Sequence, residues 1–444
     1  MSSFPITVHA INLPKRIDRK SNLIGQFLDK EEFSLRIVEP TSDPNAAKSL
    51  WNTIRNIIRK NLENDFVIIC EDDHIFTQHY SARILQSSIG QAVNLNADLL
   101  LGGISWCKNA ISINSNLFWV DKFSGLQFVV LFRKVYSKVL TVDFQDHDCA
   151  DYKLSGLAKN KFVIYPFISI QKDYGYSDVT YKNNEKRRVE KLFENCSSSF
   201  AFLLKVEKYY KEFNGAMISE PNYNAISIPT YIINLPERTE RLEHIKKEFA
   251  GRKEFDLTIV EACRHKIGAV GLWQSIRKII SLAIENNDDV IIICEDDHVF
   301  TEHYSKNTFI QNIIEAHTQG VDMLIGGVAD AKYILPITEK RFWVGSFWST
   351  QFIVLYRNIF SHIINEPYND EITADGKLSE SVVNKMVLFP FISTQKEFGY
   401  SDISAYYNNQ RASNPPHKKF QDSFRKFELI KKIYQKHRNQ LNTF

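Results

Sequence analysis

The chain has 444 residues, of which 44% are hydrophobic and 24% are charged, and its formal net charge is +3. These values are typical of a globular protein with a sizeable core, and they give no reason to expect a nucleic-acid partner. The six cysteines show no CxxC spacing, and no apolar stretch approaches the length of about 20 residues that spans a bilayer. Because the start shows no signal-peptide pattern, we expect a cytoplasmic protein. The length suits two or three domains.

The sequence consists of one unit written twice. "INLPKRIDR" begins at residue 11 and "INLPERTER" at residue 233, an offset of 233 − 11 = 222. "EDDH" begins at residues 71 and 295, an offset of 295 − 71 = 224, which also relates "PFISIQKDYGYSD" to "PFISTQKEFGYSD". A repeat of this length is a duplicated domain rather than a solenoid unit. The predicted organisation is a first copy at 1–195, an amphipathic helix and linker at 196–225, a second copy at 226–415, and a basic amphipathic C-terminal helix at 416–444.

Within each copy, predicted strands alternate with predicted helices. Copy one is expected to contain a strand at 6–11, a helix with Ile17, Ile24 and Phe27 on its buried face, a strand at 33–38, a tryptophan-bearing helix at 49–62 and the strand "FVIIC". The matching segments of copy two are 230–233, 255–260, 271–285 and "VIIIC". The last strand is a continuous β-branched run, as in strands that are covered on both faces. The pattern predicts an α/β fold with mixed, mostly parallel sheets.

This apolar strand ends, in both copies, in three adjacent acids. In an open α/β sheet, ligands bind beyond the carboxyl ends of the strands. If the extended geometry continues, the first and third carboxylates point one way and the middle one points the other way. Two carboxylates on one side suit a hard cation, Mg²⁺ or Mn²⁺, although a solvated acidic turn is the alternative. The predicted metal ligands are Glu71 and Asp73 in copy one and Glu295 and Asp297 in copy two.

These motifs resemble glycosyltransferase family 25, the lipopolysaccharide-type and collagen-type sugar transferases of the GT-A fold. The resemblance rests on "INLxxRxxR", on the strand-ending EDD and on "PFISxQxxxGYSD", and it covers each copy almost end to end. It implies two tandem GT-A-like, Rossmann-like domains that bind a nucleotide-sugar. It also implies that the donor is contacted by Asn12, Arg16, Arg19, Asp72 and Gln171 in copy one and by Asn234, Arg238, Arg241, Gly271, Asp296 and Gln395 in copy two.

The two copies differ in the segment that opens the helix before the EDD strand. Family members carry Gly-Cys-x-x-Ser-His there, and copy two retains the glycine as Gly271, whereas copy one has Ser49. Neither copy has the histidine. A glycine lets the backbone approach a nucleotide closely. Copy one is therefore the candidate for a non-catalytic module that binds a sugar nucleotide or the acceptor.

Two pairs of aspartates are candidates for the base that accepts the proton of an acceptor hydroxyl. Asp151 and Asp375 lie in "ADYKLS" and "ADGKLS", where the alternative role is a helix N-cap. Asp178 and Asp402 lie in "GYSD", where a further metal contact or a turn residue is the alternative. The sequence leaves both pairs open.

Other repeated residues also allow two roles. His74 and His298 follow the acids and either bind a metal or orient their neighbours. The glycine pairs that end in Gly103 and Gly327 permit either a close approach of ligand to backbone or a tight turn. Trp119 and Trp343 either stack on a sugar or pack in the core, and we favour the core.

The function expected from the resemblance is a metal-dependent, inverting hexosyltransferase. Its donor would be a UDP-linked galactose or glucose, and its acceptor a hydroxyl of a surface-glycan or lipid-linked saccharide precursor, or alternatively of a peptide. A phosphohydrolase also fits an acidic strand end, but the order of the motifs favours a transferase. The basic C-terminal helix either packs on its domain, which we favour, or contacts an anionic membrane surface at the inner face of the membrane. The sequence predicts no oligomeric state.

Overall fold

The computed structural model describes residues 5–175, 185, 187–213, 222–399 and 415–441. The chain divides into two compact units, unit 1 (Met1–Lys205 with His437–Phe444) and unit 2 (Val206–Lys436). In the described ranges, none of the helices combines the length and the apolar character that crossing a membrane requires.

Unit 1 alternates strands with helices along the chain. Its strands are β1 (Ile6–Ile11), β2 (Phe33–Val38), β3 (Phe66–Glu71), β4 (His74–Phe76), β5 (Leu99–Leu101), β6 (Trp106–Cys107), β7 (Ala110–Ser112), β8 (Leu117–Val120), β9 (Phe123–Ser124), β10 (Phe128–Phe132), β11 (Lys161–Ile164) and β12 (Ser169–Gln171). Its helices are α1 (Ile17–Phe27), α2 (Ala46–Arg59), α3 (Ala82–Asn94), α4 (Arg133–Thr141), α5 (Ala150–Leu157) and α6 (Arg188–Glu212), the last of which continues into unit 2.

Unit 2 opens with a 3₁₀ turn at Tyr223–Ala225 and then follows the same order. Its strands are β13 (Ile228–Asn234), β14 (Phe255–Glu261), β15 (Val290–Glu295), β16 (His298–Phe300), β17 (Met323–Ile325), β18 (Asp330–Pro336), β19 (Arg341–Trp348), β20 (Phe352–Tyr356), β21 (Lys385–Leu388) and β22 (Ser393–Gln395). Its helices are α7 (Thr239–Glu248), α8 (Gly268–Glu285), α9 (Lys306–Thr318), α10 (Arg357–Asn365), α11 (Ala374–Ser381) and α12 (Pro416–Leu441).

Each unit is built on an eight-stranded mixed sheet. The order is β2-β1-β3-β10-β5-β11-β8-β7 in unit 1 and β14-β13-β15-β20-β17-β21-β19-β18 in unit 2. In unit 1, β8 and β10 run against the direction of the other six strands, and β19 and β20 do so in unit 2. The predicted α/β fold with duplicated, mixed and mostly parallel sheets is confirmed.

The strand that leads to the acids lies in the middle of the sheet. β3 pairs in parallel with β1 and antiparallel with β10, and Val67 to Cys70 are buried. β15 has the same neighbours in unit 2, β13 and β20. The continuous β-branched run is therefore covered on both faces, as predicted.

The buried face of α1 differs from the predicted one. Phe27 is buried, but Ile17 is 72% exposed and Ile24 is exposed as well. The buried positions are Arg19, Leu23 and Phe27, which are four residues apart and share one face. An arginine takes a core-facing position because its guanidinium pairs with a buried carboxylate, a contact that hydrophobicity alone does not indicate.

The helix that follows the first copy begins at Arg188, before the predicted segment 196–225. Leu203, Val206 and Tyr210 of this helix are buried, which agrees with its predicted amphipathic character. The strand β13 starts at Ile228, two residues earlier than the predicted 230.

The C-terminal helix α12 packs on unit 2 with its aromatic residues. Phe420 and Phe427 are buried. The Phe427 ring contacts Phe342, Phe389 and Phe391 at centroid distances of 5.4, 5.6 and 5.1 Å. The favoured interpretation, packing on its own domain, is confirmed for this face of the helix.

Candidate functional site

The three acids lie at the carboxyl end of the central strand in both units. β3 ends at Glu71 and β15 ends at Glu295, and a turn of two aspartates leads into β4 and β16. β4 pairs with β12, and β16 pairs with β22, so the "PFIS" segment returns beside the acids. The backbone N–H of Lys172 donates to the Asp73 carbonyl at 2.7 Å, and Lys396 repeats this bond to Asp297 at 2.7 Å.

The middle acid binds the side chains of the opening motif. Asp72 is 5% exposed. Its carboxylate accepts from Arg19 Nη1 at 3.0 Å, from Arg16 Nη1 at 3.1 Å and from Asn12 Nδ2 at 3.2 Å. These side chains, expected at the donor, therefore orient Asp72 in this structure.

Unit 2 repeats this arrangement around Asp296. Arg241 Nη1 donates to Asp296 Oδ1 at 2.9 Å, and Asn234 Nδ2 donates to Oδ2 at 3.0 Å. Asn234 Nδ2 also lies 3.4 Å from the Arg238 carbonyl, which links the motif to the start of α7. The recurrence of these contacts explains why "INLxxRxxR" and EDD occur together in both copies.

An aromatic ring covers each of the two buried arginines. The Arg19 guanidinium lies 4.5 Å from the centroid of the Tyr174 ring, and Arg241 lies 4.7 Å from that of Phe398. Such cation–π contacts strengthen where water is excluded. The closing segment thus contributes an aromatic ring that contacts the buried arginine in each unit.

The outer two acids are destabilised as charges. Burial raises the pKa of Glu71 well above its ordinary value, and the charges of Asp73, Asp72 and Asp151 raise it further. Burial and then Asp72 raise the pKa of Asp73 to about 7. In unit 2, burial and then Asp297 raise the pKa of Glu295 to about 8. Each site would gain from a positive charge between its carboxylates.

The outer carboxylates are the oxygen ligands that a divalent cation would use at this turn. Asp73 Oδ1 is buried and has no hydrogen-bond donor among the described residues, and Asp73 Oδ2 lies 3.8 Å from Arg19 Nη1. Within those residues, no group of three or more His, Cys, Asp or Glu side chains is arranged to hold a metal ion. Glu71 and Asp73 would therefore supply two oxygen ligands and leave the remaining positions to water or substrate.

Asp151 and Asp375 lie beside these acids. Asp151 Oδ2 accepts from Ser124 Oγ at 2.7 Å and from the Gly125 N–H at 3.2 Å. Asp375 Oδ2 accepts from the Ser349 N–H at 3.0 Å. Both carboxylates are close enough to add to the pKa increase of the glutamate in their unit. The helix N-caps are Cys149 and Thr373, so the N-cap alternative was wrong.

The residue that offers its amide to this aspartate has an unusual backbone in both units. Gly125 has φ +111° and Ser349 has φ +107°. A glycine adopts this conformation readily, but a serine is strained there. Sequence reasoning missed this position, because the residue type differs between the copies and nothing in "FWSTQ" marks a positive φ.

The remaining predicted site residues have simpler placements. Gln171 and Gln395 end β12 and β22, are partly exposed, and lie opposite His74 and His298 in the ribbons. Asp178 and Asp402 lie outside the described residues.

His74 and His298 are core residues. His74 is fully buried, and its Nδ1 lies 2.8 Å from Ser169 Oγ. Its ring lies 4.3 Å from that of Phe76 and 5.3 Å from that of Phe128, and burial lowers its pKa to about 3. His298 makes the same contact to Ser393 at 2.7 Å. Of the two roles left open, the structure supports orientation of neighbours.

The repeated glycines are required by contacts within the chain. A Cβ on Gly103 would lie 2.1 Å from the Ser169 carbonyl oxygen, and one on Gly327 would lie 2.2 Å from that of Ser393. Gly271, predicted to face the nucleotide, has the Cys263 carbonyl 2.5 Å from its Cβ position. These glycines allow neighbouring segments of the chain to pack closely against the glycine backbone.

Ser49, which occupies in copy one the position of Gly271 in copy two, also has a packing role. Ser49 donates from Oγ to the Thr41 carbonyl at 2.5 Å. This bond joins the loop before α2 to α2 itself. In unit 2 the equivalent helix, α8, instead packs closely through Gly271. The lack of a glycine in copy one has a local compensation and does not by itself mark loss of function.

Trp119 and Trp343 lie in the core, as favoured. Both are 2% exposed. Their Nε1 atoms donate to backbone carbonyls, of Lys159 at 3.3 Å and of Val383 at 3.1 Å.

No family model matches the chain, and no curated protein matches it. Among solved structures, it is similar to A197 from STIV, with 13% identity over 39% of this chain and 86% of that one and a TM-score of 0.28. It is similar to a glycosyltransferase involved in glycosylation of the major capsid of PBCV-1, with 13% identity over 36% and 81% and a TM-score of 0.25. A mannosyltransferase from Pyrobaculum calidifontis, in complex with GDP-Man and Mn²⁺, matches with 11% identity over 43% and 65% and a TM-score of 0.21.

Proposed function

We propose that each unit is a metal-dependent glycosyltransferase that uses a nucleotide-sugar. The observation that carries the proposal is that Glu71, Asp73 and Asp151 lie near one another at the carboxyl end of the central strand. Glu295, Asp297 and Asp375 repeat this arrangement in unit 2. Two of these acids suit a cation, and both oxygens of the third accept backbone N–H groups. The resemblance of the motifs to glycosyltransferase family 25 supports the same reaction class.

The proposed roles follow from the positions of the side chains. Glu71 and Asp73 would hold Mg²⁺ or Mn²⁺, which supplies positive charge to the diphosphate of the donor. Asp72 is bound by Arg19, which also lies 3.8 Å from Asp73 Oδ2, and this contact would fix the turn. We propose that Arg16, Arg19 and Arg241 act as positioning residues for the acidic turn.

Asp151 or Asp375 would act as the base. As the acceptor oxygen attacks the anomeric carbon, the hydroxyl proton passes to the aspartate Oδ2 or Oδ1. The bond between that carbon and the diphosphate oxygen breaks, and its electron pair leaves with the nucleoside diphosphate. A single displacement of this kind inverts the configuration at the sugar carbon.

The donor and the acceptor are proposals from the family resemblance. We propose UDP-galactose or UDP-glucose as the donor and a saccharide hydroxyl, on a surface-glycan or lipid-linked precursor, as the acceptor. Each candidate site acid of unit 2 has an acidic counterpart in unit 1, and Ser49 is accommodated by a local hydrogen bond. We therefore propose that both units transfer sugar.

The test is calorimetric titration of UDP with Mn²⁺ into the wild type, Asp73→Asn and Asp297→Asn. We expect two sites in the wild type and the loss of one in each variant. Asp65→Asn and Asp289→Asn are matched controls, since these side chains are 91% and 87% exposed, and both sites should remain. One site, lost only in Asp297→Asn, would make unit 1 a non-catalytic module. Absence of metal-dependent binding of UDP, GDP and CDP would overturn the proposal.

A further inference from the structure

An aromatic residue stands beside the candidate base of unit 1. β6 pairs antiparallel with β9, and Trp106 lies opposite Ser124. Ser124 Oγ is the donor to Asp151 Oδ2 at 2.7 Å. The Trp106 side chain is only partly buried, unlike the core residue Trp119. One pair of strands thus carries both the hydroxyl that orients the base and an accessible indole.

A second ring extends this surface. Tyr152 directly follows Asp151 in α5, and it is 53% exposed. Its ring centroid lies 6.2 Å from that of Trp106, with an angle of 65° between the ring planes. Adjacent exposed aromatic rings form an apolar patch, and such patches often mark a binding site. Because Tyr152 follows Asp151 and Trp106 pairs with the residue that donates to Asp151, the two rings point to a ligand of that site.

Unit 2 places its tryptophan on the other strand. In the pairing of β18 with β19, Asp330 lies where Trp106 does, and Trp348 lies where Ser124 does. Trp348 is partly buried and precedes Ser349, whose N–H binds Asp375. The Lys332 ammonium lies 5.5 Å from the Trp348 ring centroid.

The second ring of unit 1 has no counterpart in unit 2. The residue after Asp375 is Gly376, where unit 1 has Tyr152. Unit 1 therefore presents a pair of rings from β6 and α5, whereas unit 2 presents one indole from β19 with a cation beside it.

We propose that these tryptophans are platforms for the acceptor sugar, and that their different placement makes the two units select different acceptor saccharides. This inference rests on the proposed function. A pyranose ring has an apolar C–H face that stacks on an aromatic ring, while its hydroxyls stay available for hydrogen bonds. Stacking beside Asp151 or Asp375 would bring an acceptor hydroxyl within reach of the base. The rings determine specificity and do not take part in the chemical step.

Direct binding is tested without the nucleotide. Saturation-transfer NMR is recorded with the methyl glycosides of galactose, glucose and N-acetylglucosamine on the wild type, Trp106→Ala and Trp348→Ala. Each variant should lose the sugar signals of one unit, and the Trp106→Phe variant should keep part of them. Tyr209→Ala is the control, because Tyr209 is a 45% exposed aromatic residue of α6, and its signals should equal those of the wild type.

Transfer is then measured in proteins with one active unit. In Asp297→Asn, which leaves unit 1, Trp106→Ala should raise the acceptor KM about tenfold and leave the Kd of UDP unchanged. In Asp73→Asn, Trp348→Ala should do the same for a different preferred glycoside. An unchanged Kd also shows that the variant is folded.

The outcomes separate the two proposals. If UDP binds to neither unit, the proposed transferase function fails, whereas the NMR signals still report on the platforms. If UDP binds but removal of both tryptophans leaves the sugar signals and the acceptor KM unchanged, the platform proposal is overturned. Identical acceptor preferences of the two single-unit proteins would overturn the proposed difference in specificity.

Discussion

The Arg19 guanidinium donates to Asp72 at 3.0 Å, and Arg241 donates to Asp296 at 2.9 Å. Both arginines and both aspartates are nearly inaccessible to solvent. Each pair joins the first helix of its unit to the end of the central strand. The buried arginine therefore holds the acidic turn in place.

Removal of one partner of such a pair should strongly destabilise its unit. For Arg241→Leu we expect a decrease of about 3–5 kcal/mol in the free energy of unfolding, because Asp296 would be left as a buried carboxylate without its cation. The control is Arg264→Leu, whose ion pair with Glu237 is solvent-exposed and should contribute less than about 1 kcal/mol. Calorimetry of the intact chain measures both variants. Similar small losses would contradict the structural role of Arg241.

The close approach of Gly103 to the Ser169 carbonyl leads to a second prediction. Gly103→Ala should destabilise unit 1 by about 3 kcal/mol, because the new Cβ would lie 2.1 Å from the Ser169 carbonyl oxygen. Gly90→Ala is the control in the same unit, since Gly90 is an exposed residue of α3 with no atom within 4 Å of its Cβ position. That substitution should stabilise the helix by about 1 kcal/mol. Thermal unfolding distinguishes the two, and an unchanged midpoint for Gly103→Ala would show that the contact is wrong.

The strained backbone at the candidate base gives a pair of opposite predictions. Ser349→Gly should stabilise unit 2 by about 1 kcal/mol, since strain is relieved and only part of the gain is lost to the greater freedom of the unfolded chain. Gly125→Ser should destabilise unit 1 by about 1–3 kcal/mol for the converse reason. Chemical denaturation of each variant provides the test. Effects of the same sign in both units would exclude backbone strain as the cause.

A buried lysine predicts a dependence of stability on pH. Lys385 donates from Nζ to the Val382 carbonyl at 2.6 Å, and burial lowers its pKa to about 8. Below pH 8 the group is protonated in the folded and unfolded states alike. Between pH 8 and its unfolded pKa, the unfolded chain binds more protons, so the free energy of unfolding rises with pH.

The comparison with Lys385→Met isolates this contribution. From pH 8 to pH 10 the stability difference, wild type minus variant, should grow by about 1 kcal/mol per pH unit. The groups that titrate in both proteins, such as the tyrosines, cancel in the difference. Lys253→Met, at an exposed lysine, is the control for replacing a lysine by methionine. A difference for Lys385→Met that stays constant with pH would contradict the lowered pKa.

Several features of the site could be predicted because they depend on neighbouring residues in sequence. The apolar run followed by three acids correctly places the acids at the carboxyl end of a strand, although the strand alternation itself ends at Glu71. The continuous apolar run before them correctly indicates a central strand. The buried face of α1 was predicted incorrectly, because the residue that decides it, Arg19, is buried through a contact 53 residues away.

The sequence by itself determined the duplication, the α/β alternation and the position of the acids at the end of a strand, since these follow from spacing, periodicity and the repeated motifs. Only the tertiary structure decided which groups meet at those acids. The bonds from Arg19 to Asp72, from Gly125 to Asp151 and from Trp106 to its partner strand join segments that lie far apart in the chain. Such contacts depend on sheet order and loop conformation, and neither residue type nor local period encodes them.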